Sequence, residues 1–208
     1  MGNGNVKTMP WVNIKNPIPV TNLIFQDIIS GLVFNCPSST EHREKIGVNE
    51  NGKPQYKVTY TPVSARGVSF RRRGITNSLF VTILAQIRRS LSATKTYALI
   101  QSSESVESTV ESITNATSLS DPYYEIIVFQ KRSDMSDTEA LYYYIRNAFA
   151  HGSFEVVATN GGNVYLLESS KDGTIKAQMR LKETSLSEYI RLANLTVAEI
   201  KALQKHRK

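Results

Sequence analysis

Apolar residues recur every three or four positions through the first three quarters of the chain and every second position after that. The two periods predict helices followed by strands. Ile24, Phe25, Ile28, Ile29 and Leu32 share one helix face behind a capping Thr21 or Asn22, and Cys36-Pro37 stops that helix. Residues 35–73 are polar and punctuated by Asn51-Gly52, Pro54 and Pro62. They predict a long loop in which only Tyr56–Thr61 is strand-like, with room for a hairpin. From Asn77 the helical period returns, with Phe80, Ile83, Leu84, Ile87 and Leu91 on one stripe. Val106, Val110 and Ile113 predict a solvent-facing helix, and Asp121-Pro122 is a good start for another through residue 132. The β-branched and aromatic content of that last segment also suits a strand, with helix preferred. Ser136 and Glu139 form a capping box for a helix that runs to His151 and stops at Gly152. Residues 154–158, 164–168 and 174–181 then alternate like strands, separated by Asn160-Gly161-Gly162 and Lys171-Asp172-Gly173, and two short helices near 185–193 and 196–206 follow.

This pattern predicts a mainly α protein, a helical bundle carrying a small C-terminal antiparallel β-meander. An irregular arm, residues 1–19 with Trp11 and three prolines, precedes a helical domain over 20–152 that includes a basic loop at 51–76. Residues 153–208, the meander and terminal helices, are expected to pack on the same domain. Hydrophobic residues make up 40% of 208, without a run long enough to span a bilayer, and the N-terminus lacks the basic-then-apolar order of a signal peptide. A cytoplasmic protein with no membrane association is expected. One cysteine, Cys36, and three histidines leave too few soft ligands for a structural zinc site, so neither metal nor cofactor is expected.

Charge changes this picture more than composition does. Within a net charge of +7, residues 51–103 hold nine Lys or Arg and not one Asp or Glu. Arg66, Arg71, Arg72, Arg73, Arg88 and Arg89 lie there with Tyr56, Tyr60 and Phe70 among them, a composition suited to a polyanion such as a nucleic acid through counterion release and base stacking. The opposing possibility is a solvated face, or pairing with acids inside the fold. Glu104, Glu107 and Glu111 line up at helical spacing but lack His or Asp partners and fit a solvated helix face better than a metal site.

His151 alone among the histidines has chemistry around it, in Arg146-Asn147-Ala148-Phe149-Ala150-His151-Gly152; His42 and His206 sit in charged, polar stretches. On a helix Tyr143, Asn147 and His151 are four apart and share a face, whereas Arg146 lies about 140° from His151. One straight helix does not aim both at one atom. Two copies about a two-fold axis could, which points to a homodimer with a composite site. Arg146 could equally be a surface ion-pair partner, and His151 a simple helix cap.

An Arg followed by Asn, with His five positions after the Arg near the end of a capped helix, resembles the signature of HEPN-domain ribonucleases, and the strands that follow resemble a β-extended subgroup. The resemblance implies metal-independent RNA cleavage by attack of the ribose 2′-OH, leaving a 2′,3′-cyclic phosphate and a 5′-OH. His151 would move protons, Arg146 would hold the scissile phosphate, and Asn147 would orient His151 or donate to phosphate. Tyr143 would stand at the RNA-binding edge. Such an enzyme would fit a toxin or phage-defence effector held by an antitoxin or other partner protein. The alternative is a non-catalytic module that binds RNA or a nucleotide, or docks on a partner.

Overall fold

A computed structural model of the chain describes residues 22–91, 97–116 and 124–205. The arm at 1–19 with Trp11, the Asp121-Pro122 helix start and His206 lie outside them. The element order is α1 (Leu23–Ile29, extended by a π-helical turn Ser30–Phe34), β1 (Ser39–Val48), β2 (Pro54–Pro62), α2 (Ser78–Ser90), β3 (Tyr97–Ile100), α3 (Val106–Ala116), β4 (Ile126–Gln130), α4 (Asp137–Ala150), β5 (Phe154–Thr159), β6 (Gly162–Lys171), β7 (Thr174–Lys182), α5 (Glu183–Asn194) and α6 (Val197–Lys205).

The expectation of a mainly helical bundle is overturned. Five strands in the order β3-β4-β7-β6-β5 form a mixed sheet, β1 and β2 form a separate two-stranded ribbon, and the architecture is α/β. Only the β3–β4 pair is parallel, with α3 as its crossover; the remaining neighbours are antiparallel. The strands at 154–182 are therefore one side of a continuous sheet that residues before the motif helix complete.

The decisive segment is 126–130, whose expected helix is a strand. Ile126, Ile127, Val128 and Phe129 are all fully buried. A side chain can be buried at every consecutive position only in an element covered on both faces, and β-branched residues favour the strand. Ile127 and Phe129 enter the main core with Tyr165, Leu167, Met179 and Leu181, beneath α1, α2, α4, α5 and α6. Ile126 and Val128 enter a smaller core with Ile100, Val106 and Val110 under α3. β3 escaped the sequence pattern because four residues are too few to show a period. Of the ribbon, Tyr56–Thr61 lies in β2 as its pattern suggested and the hairpin forms, whereas β1 escaped because both strands are exposed along most of their length and nothing imposes alternation.

The other helices stand where the pattern placed them. Asn22 caps α1, its Oδ1 accepting from the Phe25 amide at 3.1 Å. On α2, Phe80, Ile83 and Ile87 are buried. α4 has both halves of its capping box: the Glu139 amide donates to Ser136 Oγ at 3.2 Å, and the Ser136 amide donates to Glu139 Oε2 at 3.2 Å. At its other end the Ser153 amide donates to Ala148 O and the Gly152 amide to Phe149 O, with Gly152 at φ +67°. That left-handed residue turns the chain from α4 directly into β5.

Candidate functional site

A cavity of about 460 Å³ opens beside the C-terminal half of α4, and Tyr143, Asn147 and His151 line it together. The four-residue spacing puts them in one row, as the helical repeat requires. The rest of the wall comes from strand ends: Lys131, Arg132 and Asp134 follow β4, Ser169, Ser170 and Lys171 close β6, and Lys176 lies on β7. Four basic side chains thus line the cavity with one imidazole, and Asp134 is the only carboxylate among the lining residues.

Asp134 is engaged. Arg132 Nε donates to its Oδ1 at 2.8 Å and a second guanidinium nitrogen to its Oδ2 at 2.6 Å, and this fork holds the Asp134 carboxyl below its usual range. The same guanidinium lies over the Tyr143 ring, 4.2 Å from its centroid. Burial pushes the Tyr143 phenol up, but the side chains of Asn147 and Arg132 outweigh it and bring the phenol below its ordinary value. Tyr142 and Tyr144, the flanking members of the tyrosine run, are buried in the core.

Arg146 does not line this cavity. Its guanidinium donates to Asn147 Oδ1 at 3.1 Å, its Nε is buried without a partner, and its charge is one of the influences opposing the burial that raises the Cys36 thiol. Arg146 therefore lies on the Cys36 side of α4 and reaches the His151 face through Asn147. The bond fixes the amide: with Oδ1 accepting from Arg146, the Asn147 amino group is turned to the Tyr143 phenol in the cavity wall. His151 is exposed at the end of α4, its amide donating to Asn147 O at 3.0 Å.

The basic block of residues 51–103 does not act as one surface. Arg71 is drawn inward, where its guanidinium meets the fully buried Glu139 at 3.0 Å and packs between the rings of Tyr60 and Phe80. Arg73 is half-buried and donates to Ala193 O. Arg66 lies over the Phe34 ring and Arg88 over Tyr97, and together with Arg72 and Arg89 they stay exposed. The cations that do surround His151, Lys131, Arg132, Lys171 and Lys176, were not singled out from the sequence. The Lys171-Asp172-Gly173 turn was the one visible signal, and it was read for its shape alone.

Among the described residues there is no cluster of His, Cys, Asp and Glu that could hold a metal ion, and no helix long and apolar enough to cross a membrane. No family model, no curated protein and no solved structure matches the chain.

Proposed function

We propose that the chain is a metal-independent endoribonuclease whose site is the cavity at the end of α4. The observation that carries this reading is a single imidazole in a cavity also lined by Lys131, Lys171 and Lys176, whose one carboxylate is already paired with Arg132. Such a wall attracts a phosphodiester, and His151 is the one imidazole among the lining residues available to exchange protons with it. In the reaction the 2′-oxygen loses its proton to a base and bonds to phosphorus; the P–O5′ bond breaks, and the 5′-oxygen takes a proton. Lys171, Lys176 and the Asn147 amino group would bear on the phosphate oxygens, where charge builds up. Arg146, rather than touching phosphate within one chain, would position Asn147.

The R-N-x-x-x-H motif of HEPN ribonucleases supports the reading over residues 136–152. One cavity supplies one imidazole, so a second copy would supply the second in a homodimer. A cytoplasmic place, a role as toxin or phage-defence effector, and restraint by an antitoxin or other partner belong to this same proposal. Arg146 facing away from the cavity favours the second reading, an RNA-binding module that holds the phosphate without cutting.

The test is incubation of a mixed RNA pool with the protein in EDTA beside its His151→Ala variant. Cleavage to cyclic phosphate ends, slowed by about 10²-fold or more in the variant, is the expected result. Equal cutting by both proteins removes His151 from the chemistry. Retention of RNA without cutting by either supports the binding module.

A further inference from the structure

A second cleft, of about 690 Å³, shares no residue with the His151 cavity. The π-helical turn after α1, the segment 66–73 and the exposed side of α5 enclose it, and its size is that of a site for a nucleotide-sized molecule. Arg66 and Arg73 enter it against one carboxylate, Asp27, so the cleft favours an anion. Arg73 is held in place: its guanidinium stands 5.3 Å from the Phe70 ring centroid, and one nitrogen donates to Ala193 O near the end of α5. Its Nε is buried and without an acceptor, an unmet donor on a desolvated cation. Arg66 remains at the mouth, over the Phe34 ring.

The walls are set before any ligand arrives. A Cβ on Gly67 would fall 2.3 Å from Cys36 O, so the loop carrying Arg66 is pressed against Cys36 in a way only glycine allows. A Cβ on Gly31 would meet the Ile190 side chain at 2.9 Å, so the π turn also packs closely against α5. Asn35 Nδ2 donates to Ser30 O at 2.9 Å and to the Ser30 hydroxyl oxygen at 3.4 Å, which leaves the Asn35 carbonyl oxygen as an acceptor and the Ser30 O–H as a donor toward a guest.

We infer that this cleft binds a phosphate monoester, its dianion between Arg66 and Arg73 and its hydroxylated body along Ser30, Asn35 and Asp27. Guanidinium forks match phosphate oxygens in pairs, and a carboxylate beside them suits sugar hydroxyls. The group could arrive on a free mononucleotide or on the 5′ end of an RNA chain. The site does not depend on the ribonuclease reading.

Calorimetric titration of the full chain with 5′-AMP, with a 5′-phosphorylated tetraribonucleotide and with adenosine tests it, using wild type, Arg66→Ala, Ser187→Trp and His151→Ala. Saturable binding of AMP or the tetranucleotide but not adenosine is expected, about tenfold or more weaker in Arg66→Ala and lost when Trp fills the cleft, with His151→Ala unchanged. Preference between the two phosphorylated probes names the source. Adenosine binding as well as AMP, binding that survives both cleft variants or falls with His151→Ala, or no binding of any probe would overturn the assignment.

Discussion

At the residue scale, Glu139 joins the three segments around the motif helix. Its carboxylate accepts from Arg71, from Ser39 Oγ at 2.9 Å and from Ser136 Oγ at 2.9 Å, tying the basic loop and the base of the ribbon to the first turn of α4. Glu139→Ala would leave the Arg71 guanidinium buried without its counter-charge, so unfolding in urea should show a loss of about 3–5 kcal/mol. A loss under about 1 kcal/mol would mean that water or another group takes the place of the carboxylate. The capping role of Glu139 is legible from its spacing to Ser136, whereas its pairing with Arg71, grouped by sequence with the RNA-facing cations, is not. Nothing in local spacing links residues 71 and 139. The row Tyr143, Asn147 and His151 was legible because one helix sets it. Lys171 and Lys176 were not, because strand pairing brings them there.

At the scale of elements, helices with written ends are legible in the sequence, and strands only where apolar and polar residues alternate, even when the polar face is itself buried, as at Gln178 and Arg180 on β7. α4 has Ser136 and Glu139 at one end and Gly152 at the other, and β5 to β7 alternate between turns, so both kinds showed. β4 lies between two apolar layers and has no alternation to display, so its run of apolar residues passed for a helix. The ribbon is the opposite case, with Ile46, Val48, Tyr56 and Val58 all exposed and hence little buried area to lose. Replacing residues 45–56 with a two-residue Asn-Gly turn across the Glu44–Lys57 pair should shift the thermal midpoint by only about 3 °C or less. A fall of about 10 °C would show that the ribbon supports the body of the protein.

At the scale of the whole molecule, tyrosines buried throughout the main core set an alkaline limit. Burial pushes the phenols of Tyr97, Tyr142 and Tyr165 above their ordinary value of 10.0, helped by Asp137 at Tyr97, Tyr189 at Tyr142 and Glu183 at Tyr165. The unfolded chain ionises these groups first. Their contribution to stability is present in full below pH 10 and lost as pH rises above it, so the thermal midpoint should fall steeply once pH exceeds about 10. A flat midpoint while tyrosinate absorbance rises would mean that these rings titrate freely in the folded state. Dilution tests the pairing of two copies: with a composite site, cleavage per molecule should drop as light scattering reports monomers, and constant specific activity would confine the chemistry to one chain. The sheet order carries one more consequence. β7 sits at the centre of the sheet although it is the last strand in the sequence, and it and the end of β6 supply Lys176 and Lys171 to the cavity. On the proposed reading, a chain still emerging from the ribosome therefore carries His151 before Lys171 and Lys176 complete the cavity, and the protein is made beside abundant ribosomal RNA in a form whose site is not yet built.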